Sequence, residues 1–342
     1  MKTRIRLLVS FSVAGWAVFL SVHAYAGPFD EAGIAAESGA FRVWGTHIAE
    51  YSPASGAEAN AMSGNALGKA DGLTVSLGDL SQLELSNGAT SGSITLRFDE
   101  PIRNGPGWDF AVFENAFAIN TESVFAELGF VEVSTDGEAF ARFESVSLTD
   151  ERLNLPTPAF SGIDPTDVDG LAGKHLAGLS TPFDLNDLAH DSFVASGTVR
   201  LHDIRYVRIV DIPGSASAGE PLLAANGTIA FADTAGNPIL DPWNTTASGV
   251  AGFDLDAIGG RYARDTSYIE LIRENMFKVG TDLWSGDLNA DGVTDGADFN
   301  LWNSVDFVDP RPSPTIVPEP VGLVPTAWTG VLVLLFRRRR IS

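Results

Sequence analysis

FVEVSTDGEAFARF, residues 130–143, decides how this chain is read. Phe130, Val131 and Val133 make a β-branched and aromatic run that suits an extended strand. Asp136-Gly137 marks a two-residue hairpin, because both central positions of such a turn take positive φ and few residues tolerate that. Phe140 and Phe143 then fall on the returning strand.

Similar runs recur on both sides, bounded by turn residues. They cover residues 74–77, 93–98, 109–113, 128–134, 139–143, 206–210, 227–231 and 252–258. Residues 31–37 suit a short helix, as do 185–188, whereas 266–277 fit either helix or strand. From Thr149 to His202 apolar runs are scarce and Asp, Pro and Gly abundant, which predicts long loops. Many short strands with Gly-rich turns predict an all-β chain, an antiparallel β-sandwich or jelly roll, over residues 27–272.

Composition narrows the chemistry. The 342 residues hold 44 acids, 22 Lys and Arg, and no cysteine. A net charge of −22 disfavours nucleic acid and anionic lipid as partners and favours cations. Without cysteine there are no disulfide staples and no thiolate zinc site.

The two ends carry targeting features. Lys2, Arg4 and Arg6 precede an apolar core from Leu7 to Val22, and Ala24-Tyr25-Ala26 is a small-x-small cleavage site. Residues 1–26 read as a signal peptide cut after Ala26. At the other end, Val321 to Phe336 is an apolar run of about 24 Å as a helix, short for a membrane span but usable. Arg337 to Arg340 follow and would hold that end on the cytoplasmic side. Seven of the 22 bases and none of the acids lie in these two segments, so the remainder carries 15 bases against 44 acids, a net of −29.

GDLNADGVTDGADFNLW, residues 286–302, has the spacing of a twelve-residue calcium loop. Asp287, Asn289 and Asp291 take positions 1, 3 and 5, and Gly292 the sharp turn. Val293 offers its carbonyl at position 7, Asp295 stands at 9 and Asp298 at 12. Ca2+ is the expected ion. A second acidic group, Asp109, Glu114, Asn115, Asp211, Asp254 and Asp256, lies in or beside strands. It reads either as a second metal site or as loop-end capping. Trp108 and Trp243 stand among turn residues, and with Trp44 they read as sugar-stacking platforms or as plugs of the strand layers. His47, His175, His190 and His202 lack zinc spacing, and no G-x-S-x-G, HExxH or P-loop is present, so no catalytic residues are assigned.

Three resemblances add expectations. Pro318-Glu319-Pro320, the apolar run and the arginine cluster resemble the PEP-CTERM sorting signal over residues 317–342. That resemblance implies processing by an exosortase of a Gram-negative bacterium, a transient inner-membrane anchor, and delivery to the cell surface or extracellular matrix. The 286–302 loop resembles a dockerin repeat, within a segment 273–305 joined by a linker, 306–316, to the tail. Dockerins carry two loops and this chain has one, which weakens a docking role. IRNGPGWDFAVFEN, LAGKH, PFDLNDL, YVRIVDIPGS and GFDLDAIG resemble a recurring bacterial cell-surface ectodomain, and the hairpin with the YVRI strand resembles galactose-binding-like jelly rolls. The expected role is a non-enzymatic, calcium-stabilised adhesion or matrix protein associated with polysaccharide. Surface capture of a nutrient such as a corrinoid is the second expectation, and a secreted carbohydrate-active enzyme the third.

Overall fold

Ile204–Asp211 shows why the chain builds sheets. Along IRYVRIVD, Ile204, Val207, Ile209 and Asp211 are buried, while Arg205, Tyr206, Arg208 and Val210 are partly exposed. From Tyr206 onward a period of two separates the two faces, and a register shift between Ile204 and Tyr206 brings Ile204 into the same cluster as Val207 and Ile209. The strand is hydrogen-bonded on both edges, with Val207 opposite Leu96 on one side and Val133 on the other.

In this computed structural model the described residues are 27–54, 62–80, 84–85, 87–148, 162–214, 231–237, 239–241, 252–263 and 267–304. The chain divides into two compact units, Met1–Val308 and Asp309–Ser342, and the second lies wholly outside the described residues. So do Ala26, Trp243, the linker and the Pro318–Pro320 motif with the apolar run behind it. Of the strand expected at 227–231, only Phe231 is described. No described helix is long and apolar enough to cross a membrane.

The fold is all-β, and among the described residues every pair of named strands is antiparallel. One sheet has six strands. Its main path runs Ala141–Arg142, Gly129–Ser134, Ile204–Asp211, Ser93–Ile102, His47–Ser52, with Leu171–Ala172 also on Gly129–Ser134. A five-stranded sheet runs Ile34–Ala35, Leu179–Phe183, Phe110–Phe113, Ala257–Gly260, Val43–Trp44. One apolar cluster draws on both: Ile94, Leu96, Val131, Val133, Val207 and Ile209 from the first, Phe110, Val112, Phe183 and Ile258 from the second. Phe110 stacks on Phe183 at 5.3 Å and meets the edge of Phe143 at 5.8 Å. Burial of each such side chain stabilises by about 1.5–3 kcal/mol. On the other face of the six-stranded sheet, the buried Glu132 accepts Arg142 at 2.7 Å and Arg208 at 3.3 Å, and the Arg208 guanidinium lies 3.5 Å from the Phe140 ring centre.

Several local expectations are corrected. The 130–143 hairpin forms, with Ala141 opposite Val133, but seven residues separate its last facing pair rather than two. The Asp136 carboxylate accepts the N–H groups of Glu138 and Ala139, and within the turn only Gly137 has positive φ. The side chain thus builds a wider turn than a two-residue loop. Residues 31–37 are not a helix, because Ile34–Ala35 pairs with Leu179 and Ser180 and edge pairing overrides the helical preference of the alanines. The 149–202 region is not all loop: Leu179–Phe183 is a full strand of the five-stranded sheet, with Pro182 opposite Ala111. Leu185–Leu188 is a 3-10 turn capped by Asp184, and 266–277 resolves as a helix over Ser267–Asn275. That helix crosses residue 272 and packs Tyr268 and Ile272 against Leu288 and Trp302 of the acidic loop segment.

Candidate calcium-binding sites

The 287–298 loop is held by its own side chains. Asp287 Oδ2 accepts the Gly292 N–H at 2.8 Å, and its Oδ1 accepts that of Asp291 at 3.2 Å. Asn289 accepts Asp291 N–H at 3.0 Å and donates its amide to Asp291 Oδ2 at 2.9 Å. Asp291 Oδ1 accepts Val293 N–H at 2.9 Å. Gly292 supplies the sharp turn at φ +85, and Ala290 also has positive φ. Asp295 caps the helix Gly296–Trp302 by accepting Ala297 N–H at 2.7 Å. Asp298, fully buried, closes the ring: one oxygen accepts Leu288 and Asn289, the other Asp295. The donor set is all oxygen, at the alternating spacing a hard divalent cation takes. Here those oxygens are turned onto backbone N–H groups, and among the described residues no three Asp, Glu, His or Cys side chains already converge at metal-ligand spacing.

Val293–Thr294, at loop positions 7 and 8, pairs with Lys278–Val279. Apolar side chains are exposed on this second strand and near it in sequence. Val279 is 83% exposed, the adjoining Phe277 79%, and Trp284, in the turn leading into the loop, 63%. Trp284 did not stand out in the sequence. Its signal is position: Asp282 accepts the N–H groups of Trp284 and Ser285, turning the ring outward just before the loop.

The second acidic group separates. Asp109 accepts Gly105 N–H at 2.6 Å and Leu185 N–H at 2.7 Å, so it ties two loops, and burial pushes its carboxyl up to about 7 against those bonds. Asp256 accepts the N–H groups of Asp71 and Gly72. Both serve as backbone caps. Glu114, Asn115, Asp211 and Asp254 instead come together, joined by three acids the sequence reading missed, Asp79, Glu127 and Asp241. Gly252–Phe253–Asp254 is the hub. Gly252 N–H donates to Glu127 Oε1 at 2.9 Å, Phe253 N–H to Asp211 Oδ1 at 2.7 Å, and Asp254 Oδ2 accepts Asn115 Nδ2 at 2.8 Å. Leu128 N–H donates to Asp241 at 2.5 Å and Gly214 N–H to Asp79 at 2.9 Å. Burial raises the pKa of Glu114, Glu127, Asp211 and Asp241, and neighbouring carboxylates raise it further. Asp79 and Glu127 did carry a sequence signal, since each stands near apolar residues that prove buried: Leu77 and Leu80, Ala126 and Leu128.

The two described aromatic candidates, Trp44 and Trp108, are packed. Trp108 is half-buried, 5.5 Å from Phe41, with the Arg261 guanidinium 4.9 Å from its ring centre. Trp44 packs on Phe41 and Phe113. His175 is held between Thr181 Oγ1 and the Glu31 carbonyl, and burial lowers its pKa.

No protein-family model matches the chain, and no curated protein matches its sequence.

Proposed function

We propose that this chain is an exported surface or extracellular-matrix protein whose calcium loop organises a binding face, with polysaccharide as the partner class. The two sheets are read as the layers of an antiparallel β-sandwich or jelly roll, and the 287–298 loop as an EF-hand-like calcium site. The signal-peptide and PEP-CTERM-like ends support export, exosortase processing, and membrane attachment only before processing.

One observation carries the binding role. The strand Lys278–Val279, beside the exposed Phe277, is hydrogen-bonded to the loop at Val293–Thr294, so the loop's order sets the position of that apolar face. Exposed apolar and aromatic side chains on an otherwise acidic protein suit the flat faces of sugar rings. In this reading Asp287, Asn289, Asp291, Asp295 and Asp298 hold Ca2+ with the Val293 carbonyl. The ion neutralises the clustered carboxylates and fixes Trp284, Phe277 and Val279. The role is passive recognition and needs no bond-making step.

Co-sedimentation of the protein with the host's extracellular polysaccharide tests this, in calcium and in EGTA. Trp284→Ala is expected to weaken retention in calcium while leaving calcium affinity unchanged. Wild-type retention with Trp284→Ala unaffected would remove this face from recognition. Absent retention of the folded wild type would overturn the polysaccharide assignment in favour of small-ligand capture.

A further inference from the structure

The carboxylates gathered around Gly252–Phe253–Asp254 lie apart in sequence from the calcium loop and are not part of it. Glu114 is 2% exposed and Asp211 1%. Each spends one oxygen on a backbone N–H, Glu114 on Ala116 at 2.6 Å and Asp211 on Phe253 at 2.7 Å. The other oxygen of each is buried with no hydrogen-bond partner, as is one oxygen of Asp254. Three consecutive residues tie them to one segment: Gly252 N–H donates to Glu127 Oε1, Phe253 N–H to Asp211 Oδ1, and Asp254 Oδ2 accepts the amide of Asn115, the neighbour of Glu114 in the chain. Among the described residues no base forms an ion pair with Glu114, Glu127, Asp211 or Asp254. Buried carboxylates left in this way are costly unless they take up a proton or a cation satisfies them.

We propose that Glu114, Glu127, Asp211 and Asp254, with Asn115 and Asp79 beside them, form a second, buried divalent-cation site. Its chemistry selects calcium. The donors are carboxylate, amide and backbone oxygens, with no nitrogen or sulfur ligand named among them, and calcium accepts six to eight oxygens in a pliable shell. The carboxylates do not yet surround a common point, so binding draws them together and recruits backbone carbonyls and water. The elements joined are distant in sequence. Glu114 follows the strand Phe110–Phe113 of the five-stranded sheet, whereas Asp211 ends the strand Ile204–Asp211 of the six-stranded one. The ion would therefore pin one sheet to the other, in a chain without cysteine to do so.

The test is calcium titration of the full chain in mild detergent, by calorimetry and by thermal melting. The wild type is expected to bind two ions. Asp287→Ala with Asp291→Ala removes the loop ion and should leave one, whose binding still raises the β-body melting temperature by several degrees. Glu114→Gln with Asp211→Asn keeps both backbone acceptors and the side-chain shapes. That variant should lose the second ion and the calcium-dependent shift, and should melt higher than wild type in EGTA, because two buried charges are gone. A loop variant that binds no calcium and melts at the same temperature with and without it would overturn the site. So would an unchanged calcium response in the Glu114→Gln, Asp211→Asn protein. Magnesium in place of calcium separates the two ions: a full response to magnesium would contradict the calcium assignment.

Discussion

The Phe253 N–H donates to Asp211 Oδ1 at 2.7 Å, and the other oxygen of that carboxylate is left buried without a hydrogen-bond partner. This places a half-satisfied carboxyl group beside the 252–254 segment. Gly252 makes the approach possible. Its φ is +81, and a Cβ there would stand 2.6 Å from the Gly78 carbonyl oxygen and 2.8 Å from Asp211 Oδ1. Gly252→Ala is expected to cost on the order of 2–4 kcal/mol, from left-handed strain plus the clash. Chemical denaturation in calcium and in EGTA measures this, and a change under about 0.5 kcal/mol would mean the approach is looser than described.

Asp298 closes the loop through three backbone N–H groups at 2.7, 3.2 and 2.7 Å. Asp298→Ala strands those donors, at about 1–3 kcal/mol for a buried donor left unmet. Hydrogen exchange across residues 267–304 is expected to accelerate even in calcium, while exchange in the strands Ser93–Ile102 and Ile204–Asp211 stays as it was.

Stability in EGTA is expected to fall as pH rises from about 4 toward 7. Asp79 and Asp109 are both pushed from 3.8 up to about 7, chiefly by burial. A carboxyl whose folded value is raised binds its proton more tightly when folded. Its contribution is complete below 3.8 and is lost as pH climbs through 7. Asp136 works the other way, lowered by the Glu138 and Ala139 N–H bonds, so its contribution is lost only as pH falls below the ordinary carboxylate range. Thermal melts from pH 4 to 8 give the slope in EGTA, and calcium should flatten it. A stability that rises over this window in EGTA would contradict the raised values.

Lys174 is 2% exposed, pairs with Glu31 at 2.5 Å and donates to the Val168 carbonyl at 2.8 Å. Glu31→Gln removes the counter-charge and leaves the ammonium. The expected loss is roughly 1–3 kcal/mol, below the range for a fully enclosed pair, because about a third of the Glu31 side chain is exposed. Adding Lys174→Met should recover part of it, and a denaturation series on the single and double variants reads the coupling.

The period-two run Tyr206 to Val210 was legible in the sequence, because alternation follows from the pleat alone, whereas the extension of that strand to Ile204 crosses a register shift that breaks the alternation. The strand Leu179–Phe183 was not, since Ser180, Thr181 and Pro182 hide it and its place is set by pairing with Phe110–Phe113, far back in the chain. The same limit applies to the acids. Spacing within twelve residues exposes the 287–298 loop as a candidate. The buried group depends on contacts such as Gly252 with Glu127 and Gly214 with Asp79, between residues more than a hundred positions apart. Four of its members stood out at strand ends, and Asp109 and Asp256, equally placed in sequence, turned out to cap loops.

The most direct test of the proposed function is co-sedimentation of the full chain, in mild detergent, with the host's own extracellular polysaccharide, in calcium and then in EGTA. Retention in calcium that is lost in EGTA, and lost in both conditions for Asp287→Ala, is the predicted result. Retention indifferent to calcium, or absent from a protein shown to be folded, would contradict a calcium-organised binding face.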